Sequence, residues 1–463
     1  MRICSRRQAL RSLGAAAFLR YSAAAPDDAW GGLPELLKRM QPPAFPNRDF
    51  DVTRHGAKPD GQTDCTAAFR QAIEQASAAG GGRVVVPPGV FLTGAIHLRS
   101  NVNLHVRPQA VVRFSRDPRQ YPIVFTRFEG MECMNYSPFV YAFGQRNIAV
   151  TGGGTLDGQA DCEHWWPWKG KAGCGWEKGQ PSQQKARDAL VEIIERDVPV
   201  EKRVFGEGAW LRPMFLQPYR CANVLIEGIT ITNSPMYEIH PVLCRNVTVR
   251  SVKVVSHGPN NDGCDPESCA GVLIDNCLFD TGDDCIAIKS GRNGDGRRLH
   301  TPSENLVIQG CTMKDGHGGV TLGSECSGDI RNVFAQDCRM DSPHLDRVLR
   351  IKTNAVRGGV IENVYMRNVQ AGQVAAAAIE IDFLYEEGAK GTFKPVVRHI
   401  EVENLRCRTS QTALSLRGFP DAPIHDVRLR RCTFEHTEKA NVIDNVRGLT
   451  FEDVHINGQP AEP

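Results

Sequence analysis

The chain reads as an all-β protein, a single-stranded parallel β-helix with a capping helix near its N-terminus. Three observations predict this. Short apolar units of one kind recur: NIAV, NVLIEGITI, NVTVRSVKV, GVLIDNCLF, NLVIQGCTM, NVFAQDCRM, VIENVYMRNV, HIEVENLRC, DVRLRRCTF and LTFEDVHI. They repeat at a spacing of roughly 20–35 residues, the length of one coil, and none can bury its apolar face without a stacked neighbour. One amphipathic helical pattern precedes the strands, as a cap requires, because an uncapped stack leaves an edge open to pairing. Several units open on Asn, which suits a side-chain ladder at a corner of the coil. The chirality of parallel crossovers makes the helix right-handed. A β-propeller is the competing fold, but its blades need four comparable antiparallel strands, and these units are short and unequal.

The elements follow in order. Residues 1–25 read as an export signal. Arg6-Arg7 supply a charged region, Leu13 to Leu19 a short apolar stretch, and Ala23-Ala24-Ala25 small residues for cleavage. Ser5-Arg6-Arg7 followed by Leu10 resembles a twin-arginine signal, so the chain is expected in the periplasm or outside the cell. Residues 26–48 are Pro-rich and read as an extended lead-in, and residues 49–463 as the β-helix. Within it, Thr63 or Asp64 is a plausible N-cap. Ala67, Ala68, Phe69, Ala72, Ile73 and Ala76 then fall at helical spacing before Gly80-Gly81-Gly82. An insertion from about 161 to 212 interrupts the repeat. It holds Trp165, Trp166, Trp168, Trp176 and Trp210, five of the six tryptophans, and a helical stretch QQKARDALVEIIERD. Its tryptophans either stack on sugar rings and wall off a groove, or form a satellite hydrophobic cluster under a long loop.

Composition narrows the function. The 55 basic and 53 acidic residues leave a net charge of +2. That balance argues against nucleic acid as the main partner and leaves room for a local basic cleft that takes an acidic polymer. No apolar run approaches the roughly 20 residues of a membrane span. Of the 16 cysteines, many sit at strand starts, such as Cys221, Cys244 and Cys269. Small buried thiols stacked from coil to coil are favoured over a disulfide framework. No CxxC pair and no zinc spacing occur, so no metal is assigned.

The chemistry concentrates between Asn260 and Lys352. The stretch contains Asn260-Asn261-Asp262, Gly282-Asp283-Asp284, Gly316-His317-Gly318 and Arg350-Ile351-Lys352, each on or beside a short strand-like run. Stacked in register, equivalent positions lie within about 4.8 Å. Three carboxylates, a histidine, an arginine and a lysine therefore converge on one face. Clustered carboxylates cannot all ionise cheaply, so one is held protonated near working pH. A guanidinium offers a carboxylate a bidentate fork, and a lysine adds a point charge.

These four groups, in this order, resemble the active-site signature of the polygalacturonase family of pectin hydrolases, glycoside hydrolase family 28. The family pattern is Asn-Thr-Asp, Gly-Asp-Asp, Gly-His-Gly and Arg-Ile-Lys, and the chain departs from it at Asn261 alone. The resemblance covers roughly residues 49 to 458. The wording around the motifs is similar to the bacterial exo-acting branch, and the resemblance implies the pectin-lyase-like, right-handed β-helix. It implies Asp283 as general acid and Asp262 and Asp284 as holders and deprotonators of the attacking water. His317 would tune the acid, and Arg350 and Lys352 would bind the uronate carboxylate. Asn260 belongs to the first motif and is placed with the substrate-binding set. Tyr385 is the candidate for a tyrosine that family members carry downstream of Arg-Ile-Lys. Tyr237 and His240, one coil before Asp262, are expected to contact substrate. Asp265 follows the motif by three and is left outside the catalytic set. An inverting mechanism would place the acid and base carboxyls roughly 6.5–9.5 Å apart.

The implied function is an exported, inverting, exo-acting polygalacturonase. It would need no cofactor and would act on pectin, polygalacturonate or their oligomers. A rhamnogalacturonan hydrolase shares the scaffold. A pectate lyase would need an arginine base and calcium. A non-catalytic polysaccharide-binding β-helix has no use for three carboxylates set beside a histidine and two cations.

Overall fold

The computed structural model describes residues 29–463; the expected export signal lies outside them. The repeat units form a parallel β-helix. On one face Ala222–Glu227, Arg245–Arg250, Ala270–Asp275, Ser303–Gln309 and Ile330–Gln336 pair in parallel, coil on coil. A second face stacks Thr230–Thr232, Lys253–Ser256 and Leu278–Thr281 in the same way. The third face carries Ile286–Ile288, Val320–Gly323, Leu349–Lys352 and Ala377–Asp382. Inward positions are aliphatic and fully buried, for example Ile286, Val320, Leu349 and Ile379 in one column. No coil has a core of its own, so each depends on its neighbours for burial.

The corner ladder forms as expected. Asn147 Nδ2 donates to Asn101 Oδ1 at 2.9 Å, Asn223 to Asn147 at 2.9 Å and Asn246 to Asn223 at 3.0 Å. These residues hold φ between +52° and +65°, the left-handed turn that Asn tolerates better than other side chains. A second run links Asn363, Asn332 and Asn305. The described cysteines are free, and most are buried within the coils; Cys162 and Cys174, both in the insertion, are not.

Helix α2 (Thr66–Ala78) caps the first coils with Ala68, Phe69, Ala72, Ile73 and Ala76 buried. Ala67, expected on that face, points to solvent. Asp64 Oδ1 accepts the Thr66 N–H at 2.9 Å, but Cys65 stands between that carboxylate and the first helical residue. The lead-in corrects the sequence reading. It is a 3₁₀ turn (Ala29–Gly32) and helix α1 (Leu33–Arg39) rather than an extended strand. Leu33 and Met40 pack on Val307, Phe334 and Tyr365, with Leu36 and Leu37 beside them. Pro34 sits in the first turn, where its missing N–H costs nothing, so a proline there did not preclude a helix.

Two departures from the repeat shape the third face. Ile123–Phe128 and Met131–Tyr136 form an antiparallel hairpin with Glu129-Gly130 at its tip. The insertion carries helix α3 (Gln184–Glu195). Among the described residues no helix is long and apolar enough to cross a membrane.

Candidate active site

The four motifs meet on the third face because the ladder holds them in register. Ile286–Ile288 pairs with Val320–Leu322, and Thr321 with Arg350 and then Glu380. Strand alternation turns Leu349 and Ile351 inward and Arg350 and Lys352 outward. Asp262 precedes Cys264, and Asp284 precedes Ile286, by two residues, and those two partners are bridged. The two carboxylates therefore stand one above the other.

Oxygens of Asp262, Asp283 and Asp284 lie within 4.8 Å of one another. These are nearest-oxygen distances, necessarily shorter than the separation of whole carboxyl groups to which the range of roughly 6.5–9.5 Å refers. Neighbouring rungs are about 4.8 Å apart, which brings these oxygens together. Each carboxylate has its own cationic neighbour. His317 Nδ1 is 2.9 Å from Asp283 Oδ1. Lys352 Nζ donates to Asp284 Oδ2 at 2.6 Å, and Arg350 Nη1 lies 3.4 Å from Asp284 Oδ1. Lys289 Nζ lies 3.4 Å from Asp262 Oδ2, 3.3 Å from Glu325 and 3.6 Å from Asp265. Such a triad of carboxylates could also hold a cation, as could His257, Asp280 and Asp315 on the outer surface.

The electrostatics separate the three acids. Burial and then the charge of Asp283 push Asp262 up to about 7, with Lys289 opposing. Its Oδ1 has no protein hydrogen-bond partner among the described residues. Burial also works against charge on Asp283, but the His317 hydrogen bond and the charges of His317, Lys352 and Lys289 outweigh it and hold the group below the usual range. Asp284 is likewise lowered: burial opposes its charge, and Lys352 and Arg350 overcome it. Behind them Glu238 and Asp265 are raised well above the carboxylate range, first by burial and then by Asp262. In the free protein the shared proton of the triad thus rests on Asp262, while Asp283 is ionised against His317.

The glycines of the third motif make the approach possible. A Cβ on Gly318 would lie 2.3 Å from Thr321 Oγ1 and 3.1 Å from Asp284 Oδ1, and one on Gly316, at φ +155°, 2.7 Å from the Asp283 carbonyl. Asn261, where the signature has threonine, is fully buried. It donates to the Ser234 and Met236 carbonyls and accepts from Ser256 Oγ and the Gly258 N–H. It anchors the turn that presents Asp262, a purely local task that leaves the ionisable groups untouched.

A cavity of about 420 Å³ opens onto the triad. Asn260, Asp262, Asp283, His317, Arg350, Lys352, Tyr385 and Tyr237 all line it. Tyr385 lies beside both cations, its ring centre 5.5 Å from Arg350 Cζ and 5.3 Å from Lys352 Nζ. Asn260 Oδ1 accepts from Arg212 Nη2 at 2.8 Å, and its amide reaches Asp283 at 3.5 Å. His240 is a correction. It is fully buried, with Nε2 2.8 Å from Glu267 Oε2 and Nδ1 3.0 Å from Gln217. The hairpin covers that part of the face, and its Arg127 pairs with Glu267 at 2.7 Å, so His240 is an internal strut and Tyr237 alone reaches the cavity.

The insertion also resolves. Trp165, Trp168 and Trp210 pack edge-on at centroid distances of 4.8 and 5.1 Å, and Trp166 donates its indole N–H to the Ser234 carbonyl. Trp165, Trp166 and Trp168 join the hydrophobic cluster, with Trp210 on Trp168, while Trp176 stands apart and donates its indole N–H to the Gln180 carbonyl; no tryptophan lines this cavity. What the insertion offers the cavity is Lys169, Lys171 and Arg187, which the sequence reading did not single out. Lys289, Glu325 and, from the hairpin tip, Glu129 were missed as well. Lys289 had a signal: it stands five residues past Asp284 on an otherwise apolar strand, where an unpaired lysine would be costly.

The comparisons with known proteins agree with this geometry. The profile of Glycosyl hydrolases family 28 matches residues 207–455, and that of Rhamnogalacturonase A/epimerase, pectate lyase-like, matches residues 50–109. A probable polygalacturonase of Vitis vinifera is 27% identical over 404 residues, 84% of this chain and 74% of that one. An exo-poly-alpha-D-galacturonosidase of Dickeya chrysanthemi is 26% identical over 357 residues, 73% of this chain and 57% of that one. The crystal structure of a hyperthermoactive exopolygalacturonase from Thermotoga maritima superposes with a TM-score of 0.91 at 46% identity, covering 93% of this chain and 96% of that one. The fold is accordingly the right-handed parallel β-helix expected from the sequence. Matched by its profile from the insertion's end almost to the C-terminus, and carrying its acid cluster in register, the chain is a glycoside hydrolase and belongs to glycosyl hydrolases family 28.

Proposed function

We propose that the protein is an exo-acting polygalacturonase that removes galacturonate units from pectic chains or their oligomers with inversion of configuration. The observation that carries the reading is the acid cluster: three carboxylates have oxygens within 4.8 Å of one another, Asp262 and Asp283 line one cavity with Arg350 and Lys352, and buried Asp284 is paired with both cations. Glycoside hydrolysis needs a proton for the leaving oxygen and a base for water. A uronate carboxylate docked on Arg350 and Lys352 takes part of the positive field away from Asp284 and Asp283 and adds negative charge beside them. Both effects raise their affinity for a proton. The proton then moves to Asp283, which delivers it to the glycosidic oxygen. Asp262 and Asp284, now ionised, hold the water and accept its proton as its oxygen bonds to the anomeric carbon. Having given up its proton, Asp283 is again ionised against His317, and the proton taken from water, held on Asp262, restores the starting state.

Exo action is supported by the elements that surround the cavity. The insertion, the hairpin tip and the loop bearing Tyr385 and Glu386 all contribute to its walls, whereas an endo enzyme needs a groove open at both ends. The similarity to exo-acting relatives points the same way. A polymeric wall substrate also requires the enzyme to meet it outside the cytoplasm, with residues 1–25 as the export signal. A product time course on polygalacturonate tests the reading, with Asp283→Asn as control. Early release of monogalacturonate in the β configuration by proton NMR, absent in the control, is the expected result. A ladder of mixed oligomers would make the enzyme endo-acting, and an initial α product would make it retaining.

A further inference from the structure

We infer that Lys169 and Lys171 form a second carboxylate-binding subsite, so that the cavity reads free uronates on two adjacent sugar rings and not on one. This deepens the proposed function and rests on it. The inference starts from a charge inventory of the cavity wall. Lys289, Arg187, Arg292, Arg347, Arg350 and Lys352 each have a carboxylate of the protein within 4 Å. Lys169 and Lys171 line the same cavity and, among the described residues, form no ion pair at all. Lys169 is half-buried, and burial depresses its pKa despite the attraction of Glu129. A cation in that position without a partner is costly unless a ligand supplies the charge.

The backbone that carries Lys169 is also held in place, and Lys171 follows two residues on as an exposed side chain at the same cavity. Lys169 ends a 3₁₀ turn, Trp166–Lys169. Trp166 is fixed by its bond to the Ser234 carbonyl and by packing on Gly258, where a Cβ would lie 2.2 Å from its ring. Trp168 is wedged against Trp165 and Trp210, and its carbonyl accepts the Gln183 N–H that leads into α3. Gly170, at φ +79°, turns the chain so that both lysines face one space. The insertion is bolted to the catalytic coil by Arg212, which donates to Gln183, to the Pro235 and Pro259 carbonyls and to Asn260. The segment bearing Lys169 is thus positioned relative to Asp262 and Asp283 before any ligand arrives, which lowers the entropic cost of binding at that lysine.

The chemistry selects the ligand. Arg350 and Lys352 belong to the coil and are engaged with Asp284; Lys169 and Lys171 belong to the insertion and are not. A single uronate reaches one pair. An oligomer with free carboxylates on neighbouring rings reaches both, and a methyl ester on either ring removes one anchor.

The test separates this inference from the function beneath it. In the Asp283→Asn background, whose turnover is slowed about 100-fold or more, the Kd for digalacturonate and for its two mono-methyl esters is measured by titration calorimetry. Adding Lys169→Gln and Lys171→Gln together is expected to weaken the diacid about 10-fold or more, the range of a charge-assisted hydrogen bond. The affinity for one of the two esters should stay unchanged, and arginine at both positions should restore most of the loss. Arg350→Gln is the control. If Arg350→Gln weakens binding and the lysine pair does not, the second subsite is wrong and the hydrolase reading stands. If neither variant matters, the cavity does not take uronates and both fall.

Discussion

The coil and the insertion deliver charged groups to the same cavity by opposite means. In the coil a repeating backbone ladder sets the position of Asp262, Asp284, Arg350 and Lys352, and the residues between them, such as Ile351, only have to fill the interior. In the insertion nothing repeats. Lys169 and Lys171 are placed by a tryptophan cluster and by one buried arginine. The difference teaches that register is a strong positional constraint that needs few specific side chains, whereas a loop must gather a dedicated packing unit to bring its lysines to one place.

Disabling the chemistry while leaving both regions intact has the largest expected effect. Asp283→Asn should lower kcat by about 100- to 10,000-fold, the span of general acid catalysis, as read by reducing-sugar release at saturating substrate. Next comes the coil core. Ile351→Ala opens a cavity between Arg350 and Lys352 and should cost ~2–5 kcal/mol in denaturant unfolding, with kcat/KM falling as well. If stability falls and the catalytic efficiency of the folded fraction does not, register is more tolerant than the ladder suggests.

The joint between the regions is weaker. Arg212→Met leaves several buried oxygens without a donor and should cost about 1–3 kcal/mol. It should also raise KM for oligomers, since Asn260 and the insertion lose their common anchor; a normal KM would show that the two regions are positioned independently. Titration gives a smaller effect. Because Asp262 is pushed up to about 7, the triad loses its last proton above that pH, and kcat/KM should fall there. Lys289 lowers the pKa of Asp262, so Lys289→Met should move this alkaline limb upward, visible in a pH–rate profile on a short oligomer. The smallest effect belongs to Arg196→Ala. It breaks an exposed pair with Glu192 on α3 and should change the free energy of denaturant unfolding by no more than the ~0.5 kcal/mol of a surface ion pair.

Taken alone, the sequence determined the β-helix, the α2 cap, the Asn corner, the stacked thiols and the six motif residues of the acid cluster. Each follows from a local rule that repeats: an apolar period, a left-handed turn residue, a fixed rung. Only the tertiary structure decided that His240 is an internal strut, because the hairpin that buries it is far away in sequence and carries no repeat. It alone decided that Leu33 to Arg39 is helical, because the apolar face of that segment acquires a partner only on the folded coils. It alone packed Trp165, Trp166 and Trp168 on the core and left Lys169 and Lys171 at the cavity, because loop side chains are directed by what they pack against and not by the period of their own chain.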